Sequence, residues 1–191
     1  MLQQRKQLIV FSAPSGSGKT TIVRHLLKQL PHLSLSVSAT TRAKRPHEAH
    51  GKDYFFLSRT EFEQHIADHD LVEYEEIYHD YYGTLQSEIE RVLSAGQCIV
   101  FDIDVKGALS LRRAYPDDTL LIFVAPPSLA ILKERLEKRN TETPEKLVMR
   151  MARAAMEMEM QSQFDVVLLN DDLASALTKA EDILHQYCPP V

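Results

Sequence analysis

Four short runs along the chain are apolar without alternation: Leu8 to Ser12, Cys98 to Phe101, Leu120 to Val124 and Val166 to Leu169. Unbroken apolarity of this length marks strands covered on both faces, as in a parallel sheet. Between these runs the period changes. Ile22, Val23, Leu26, Leu27 and Leu30 recur at helical spacing over Lys19 to Leu30, and Pro31 stops the helix. Further helices are predicted from Gln86 to Ala95, closed by Gly96, from Leu129 to Lys138, capped by Ser128, and from Pro144 to about Gln161. A last one carries Leu173, Ala176, Leu177, Ala180, Ile183 and Leu184 on one face. Strands alternating with helices predict an α/β fold with a doubly wound parallel sheet.

Two stretches break that rhythm. Residues 35–85 hold short alternating or aromatic segments (Leu35-Ser36-Val37-Ser38, Tyr54-Phe55-Phe56 and Leu71 to Tyr78) around one short helix with the capping-box pattern Ser58-Arg59-Thr60-Glu61. They read as an inserted antiparallel lobe. The polar segment Arg139-Asn140-Thr141-Glu142-Thr143 lies between two arginine-bearing helices and reads as the hinge of a lid. The expected division is a core of residues 1–34, 86–134 and 163–191, a lobe of 35–85, and a helical lid of 135–162.

The first strand runs into Ala13-Pro14-Ser15-Gly16-Ser17-Gly18-Lys19-Thr20, followed by Thr21. Small residues turning into a helix hold a polyphosphate with backbone N–H groups and the positive end of the helix dipole. Gly16 and Gly18 permit close backbone approach, Lys19 reaches the β- and γ-phosphates, and the Thr20 hydroxyl can ligate Mg²⁺. Ala13 stands where the general P-loop pattern has glycine. The segment predicts phosphoryl transfer but leaves the acceptor open.

Composition narrows the setting. At 191 residues and 44% hydrophobic, the chain suits one α/β domain with small inserted lobes. Its net charge of −5 argues against general nucleic-acid binding, which needs a basic surface. Cys98 and Cys188 make neither a disulfide framework nor a metal-ligand spacing, which favours a reducing cytoplasm. The eight histidines are scattered without metal-ligand spacing. No apolar stretch approaches the roughly 20 residues of a membrane-spanning helix, and Met1 to Gln7 lacks the form of a signal peptide. No membrane partner is expected, and the oligomeric state is not legible.

After the P-loop come, in order, Ser38-Ala39-Thr40-Thr41-Arg42-Ala43-Lys44-Arg45-Pro46, Gly51-Lys52-Asp53-Tyr54, Tyr81-Tyr82-Gly83-Thr84 and Asp102-Ile103-Asp104. With these motifs the chain, from about Leu8 to Tyr187, resembles the guanylate kinases. The resemblance implies reversible, Mg²⁺-dependent transfer of the γ-phosphoryl of ATP to GMP (or dGMP), giving ADP and GDP. It also implies that the lobe binds GMP.

The residues can be checked against that chemistry. Arg42 and Arg45 offer planar forks for an acceptor phosphate, and Tyr54 and Tyr82 can add phenolic donors. Glu73 matches the family's guanine-reading carboxylate, and Ser38 and Thr84 match its hydroxyls, with Gly83 between Tyr82 and Thr84. Glu75 and Glu76 are carboxylates without that match. Asp102 ends a strand, as a Mg²⁺-positioning carboxylate does, and Asp104 follows two residues on; which of the pair serves the metal and which the GMP stays open. Lys106 stands where a glutamine is common in the family. Arg135 and Arg139, four apart on one helix face, match the lid arginines, and Arg150 matches a third; with Lys19 and Arg45 these are the catalytic candidates. Asn170 and Asp171 resemble the segment beside the adenine, although Asp172 serves equally well as a helix N-cap. The methionines from Met149 to Met160 read as helix packing. Two other functions compete: a P-loop kinase acting on another small molecule, which would lack the Ser38, Glu73, Tyr82 and Thr84 set, and a guanylate-kinase-like module that binds proteins without catalysis.

Overall fold

The apolar runs assemble in the computed structural model, which describes residues 5–77, 79–138 and 144–190, into one five-stranded parallel sheet. Its strands are β1 (Leu8–Ser12), β2 (Leu33–Leu35), β7 (Cys98–Asp102), β8 (Thr119–Ala125) and β9 (Val166–Leu169), in the order β2-β7-β1-β8-β9. β1 lies at the centre, with Leu8 opposite both Ile99 and Thr119. Both of its faces are covered, which is why β1 and β8 are buried along their whole lengths. On one side α1 (Lys19–Gln29) and α7 (Leu173–Tyr187) set Ile22, Leu26, Ala176 and Leu184 against Ile9, Phe11, Val100 and Ile122. On the other, α3 (Gln86–Ser94) and α4 (Val105–Ala114) set Ile89, Val92, Ala108 and Leu111 against Val10, Phe101, Leu121 and Phe123. The doubly wound expectation is met.

A second sheet, in the order β4-β3-β6-β5, forms the lobe from β3 (Ala39–Thr40), β4 (Phe55–Phe56), β5 (Leu71–Ile77) and β6 (Asp80–Leu85). It is mixed and not purely antiparallel as expected. β5 and β3 flank β6 antiparallel, but β3 and β4 run parallel, because residues 41–54 are long enough to carry the chain back to the same end. The capping box holds: Ser58 accepts from the Glu61 N–H and the Glu61 carboxylate accepts from the Ser58 N–H, opening α2 (Arg59–Ala67). Phe62 of α2 is buried and stacks on Tyr81 with ring centroids 5.1 Å apart. The sequence also left β2 unread as a core strand. With only three residues its periodicity carries no signal, and pairing with β7 is what makes it a strand. Where the chain leaves β2, the buried Glu88 of α3 accepts from the Val37 N–H and is held by Arg91.

α5 (Leu129–Lys138) begins as predicted, with the Ser128 hydroxyl accepting from the Ile131 N–H. α6 (Pro144–Glu159) continues into a 3-10 turn at Met160–Gln163. Leu132, Leu136, Ala154 and Met151 join the two helices in a small cluster of their own. Met158 and Met160 pack on the main core, whereas Met149 and Met156 are exposed. The expected hinge, including Arg139, lies outside the described residues.

One expectation fails. Cys98 at the start of β7 and Cys188 at the end of α7 are joined in a disulfide across 90 residues of sequence. Spacing could not reveal it, because only the packing of α7 beside the sheet brings the two together. Among the described residues no helix is long and apolar enough to cross a membrane.

Candidate active site

β1 ends on the Ala13 to Thr20 turn, and the geometry there explains its composition. Gly18, at φ +92°, caps α1 in the left-handed region, and a β-carbon added to it would lie 2.3 Å from Asn170 Nδ2. That amide is not idle: Asn170 is buried and donates to the Ser17 carbonyl at 2.6 Å, bracing the loop from the end of β9. Lys19 Nζ is 2.7 Å from both Asp102 Oδ1 and the Ile103 carbonyl. The Thr20 hydroxyl donates to Asp102 Oδ2 at 3.0 Å. Above the loop lies a cavity of about 410 Å³, within the range of small-molecule sites. Ala13, Pro14, Ser15, Gly16, Gly18, Lys19, Thr20 and Thr21 line it, with Asp102 and Asp104, Arg150, Arg153 and Glu157. Arg150 donates to the Ser15 hydroxyl at 2.7 Å.

A second cavity of about 150 Å³ opens between lobe and core, lined by Ser38, Tyr54, Glu73, Glu75, Tyr82, Gly83 and Ile103. Lys19, Ile77, Asp102 and Asp104 line both cavities, so the two adjoin. Glu73 is the main polar feature of the second. Its Oε1 accepts from the buried Thr84 hydroxyl at 2.6 Å. Its Oε2 lies so close to α4 that a β-carbon on Gly107 would come within 2.8 Å. Gly83 is required for the same reason, since its β-carbon would lie 2.7 Å from the Glu73 carbonyl. Burial pushes the Glu73 carboxyl up to about 7, with Asp104 and Glu75 adding to the rise and the Thr84 hydrogen bond opposing it. Burial also raises the Tyr54 phenol, which keeps it a neutral O–H donor.

Comparison with known proteins gives the family. The family model for guanylate kinase matches residues 5–187. The chain belongs to the guanylate kinase family. It is 45% identical to a guanylate kinase of Bacteroides fragilis over 182 residues, which is 95% of this chain and 89% of the relative. It is 48% identical to one of Salinibacter ruber over 183 residues, covering 95% and 97%. The crystal structure of guanylate kinase from Anaplasma phagocytophilum superposes with a TM-score of 0.75 at 28% identity, covering 96% of this chain and 87% of that one.

The guanylate kinase residues expected from the sequence do not all reach the cavities. Lys19, Thr20, Ser38, Tyr54, Glu73, Tyr82, Gly83, Asp102, Asp104 and Arg150 do, and Thr84 stands behind Glu73. Arg42 instead donates to Glu48 Oε1 at 2.8 Å and to the Ala43 carbonyl, and its guanidinium lies over the Tyr54 ring. The Arg42 hydrogen bond, together with one from the Arg45 N–H, draws Glu48 down to about 2. The Arg45 side chain is exposed. Arg135 donates to the Asn170 carbonyl at 3.0 Å, so it touches the expected adenine segment and not the phosphate cavity. Asp171 is exposed, and Asp172 is the N-cap of α7, accepting from the Ser175 N–H.

Asp102 and Asp104, left undivided by the sequence, occupy different surroundings. Asp102 faces Lys19 and Thr20, whereas Asp104 caps α4 through the Gly107 N–H at 2.8 Å and takes Arg153 at 2.8 Å. Burial would raise Asp104, but the neighbouring Glu75 carboxyl, the Gly107 hydrogen bond and the Arg153 charge outweigh it, so the group lies below its ordinary value. Glu75, Ile77 and Glu157 also line the cavities, and no motif in the sequence marks them. A side chain on a seven-residue strand or a long helix carries no local sign of which cavity it faces.

Proposed function

We propose that this chain is a guanylate kinase in activity, transferring the γ-phosphoryl of ATP to GMP or dGMP and returning it in reverse. The observation that carries the reading is the shared wall of Lys19, Asp102, Asp104 and Ile77. A nucleotide gripped by the P-loop and a monophosphate in the lobe would meet there, phosphate to phosphate. Guanine offers donors at N1 and its 2-amino group, and an ionised Glu73, held by Thr84, can accept both. Ser38, on the same cavity wall, can complete the base contacts.

In the transfer an oxygen of the acceptor phosphate forms a bond to the γ-phosphorus. The bond to the β–γ bridging oxygen breaks, and that electron pair leaves with ADP. Charge accumulates on the transferred group, so the protein's task is positioning and neutralisation. Lys19 and Arg150 already face that space. Arg135 and Arg139 would arrive with the lid, and Tyr54, Tyr82, Arg42 and Arg45 would hold the acceptor phosphate once Arg42 exchanges Glu48 for it. The loop from Ala13 to Thr21 would cradle the ATP phosphates, with Asn170 and Asp171 on the adenine side.

Mg²⁺ fits the donor set: a hard cation that keeps several waters takes a hydroxyl and a carboxylate beside substrate phosphates, as Thr20 and Asp102 provide. When bound it would offset charge on the β- and γ-oxygens. GMP and ATP are then the partners, with no nucleic acid and no membrane. We place the protein in the cytoplasm, where the Cys98–Cys188 pair would meet a reducing pool, and thiol trapping in cell extract tests that placement. The activity is tested by a coupled assay over GMP, dGMP, IMP, AMP, CMP and UMP. GMP should lead, IMP should follow because it lacks the 2-amino group, and AMP should fall by about 10⁴-fold because a desolvated carboxylate would face its N1 lone pair. Comparable kcat/KM for AMP and GMP would overturn the reading.

A further inference from the structure

Lobe, core and lid helix meet at one point. Glu75 comes from β5 of the lobe, Asp104 and Lys106 from the start of α4 in the core, and Arg153 from α6. Lys106 Nζ lies 3.1 Å from Glu75 Oε1. Arg153 Nη2 lies 2.8 Å from Asp104 Oδ2 and 3.9 Å from Glu75 Oε2, and its Nε donates to Glu157 at 2.9 Å. The place is the boundary of the two cavities: Glu75 lines the lobe cavity, Arg153 and Glu157 line the P-loop cavity, and Asp104 lines both. Lys106, the departure from the glutamine of the resemblance, thus has a partner in Glu75, a carboxylate to which the resemblance gives no role.

The network is under-satisfied in a telling way. Among the described residues, Glu75 Oε2 is buried with no hydrogen-bond partner. Glu75 and Asp104 share Arg153 as their cationic neighbour, at 3.9 Å and 2.8 Å from its Nη2. A ligand filling the lobe cavity would shield this pair from solvent and strengthen its attraction to the Arg153 cation. Arg153 stands one turn beyond Arg150 on the same helix, and Arg150 is already seated on Ser15 of the P-loop. Holding Arg153 against Asp104 and Glu75 therefore holds Arg150 over the donor phosphates.

We propose that Glu75, Lys106 and Arg153 are positioning residues that couple the two nucleotide sites, so that an occupied lobe cavity fixes α6 over the P-loop and tightens the donor, and the reverse. The inference rests on the guanylate kinase reading of the cavities. Coupling of this kind is reciprocal by linkage.

The test measures the Kd of GMP by calorimetry on the full chain, alone and with a saturating β,γ-imido analogue of ATP and Mg²⁺. The wild type should bind GMP about tenfold tighter with the analogue present, within the usual span of allosteric coupling. Arg153→Met should bring that ratio close to one, the ratio being taken within each protein so that any change in the Kd of GMP alone cancels. Lys106→Gln keeps the experiment decisive if Arg153→Met folds poorly. Its side chain is 70% exposed, and it should lower the ratio by a smaller factor. A wild-type ratio of one, or an undiminished ratio in folded variants, overturns the coupling role. Failure of the wild type to bind GMP at all would instead overturn the functional reading beneath it.

Discussion

Lowering the pH from 8 to 6 should remove the charge with which Glu73 reads guanine. Burial beside Asp104 and Glu75 puts this carboxyl at about 7, against 4.5 for an ordinary glutamate. GMP requires the anion, because a protonated carboxyl can accept one donor well but not two. The binding constant therefore carries a factor of 1 + 10^(pKa − pH), which is about 1.1 at pH 8, 2 at pH 7 and 11 at pH 6. GMP should bind about tenfold more weakly at pH 6 than at pH 8, or about 1.4 kcal/mol. The acceptor's own phosphate also titrates near pH 6, so the measurement is calorimetric Kd in wild type and in Glu73→Gln, where only the phosphate contribution remains. The variant should bind GMP more weakly at pH 8, having lost a charge-assisted bond worth roughly 1.5–3 kcal/mol, and should show the shallower pH dependence. The same shift has a consequence for the empty protein. A carboxyl whose folded value is raised supports the fold fully below 4.5, and that support is lost as pH rises through 7. About 2.5 pKa units correspond to roughly 3 kcal/mol, so Glu73→Gln, which can keep the Thr84 hydrogen bond, should melt higher than wild type at pH 8. Identical pH profiles for GMP in the two proteins would refute the assignment of Glu73.

Lys19→Ala should leave circular dichroism unchanged and lower kcat by two or more orders of magnitude, as loss of a charge-stabilising donor does; near-normal turnover would remove the P-loop assignment. A complex with a bisubstrate analogue should show Arg135 released from the Asn170 carbonyl and turned toward the phosphates, and an Arg135 unmoved in a filled site would count against lid catalysis. Reducing the Cys98–Cys188 bridge, which closes a 90-residue loop, should lower stability by about 2–4 kcal/mol in denaturant titrations. Because Cys98 opens β7 and Asp102 ends it at the site, kcat should be unaffected by reduction, and a large change would tie the bridge to the chemistry.

Features that depend on neighbours along the chain were legible from the sequence alone. The strand before Ala13, the helix after Gly18, the Ser58 capping box and the Ser128 cap each rest on contacts within a few residues, so the residue pattern determines them. The P-loop belongs to this class, since one contiguous turn supplies its small residues, lysine and threonine. The ordered motifs of the lobe carried the family likeness for the same reason. Tertiary structure decided everything that required two distant segments to choose each other. The position of β2 at the sheet edge, the parallel β3–β4 pair and the bridge from Cys98 to Cys188 leave no periodic trace. It also divided Asp102 from Asp104, which alternation alone makes equivalent, because Lys19 and Thr20 approach one while Gly107 and Arg153 approach the other. Glu75 shows the limit most directly. On its strand it is one carboxylate among three, and its place between the cavities exists only because α4 and α6 bring Lys106 and Arg153 against it. Backbone conformation is set largely by local sterics and hydrogen bonding, whereas a charged side chain takes its protonation and its partner from whatever the fold packs around it.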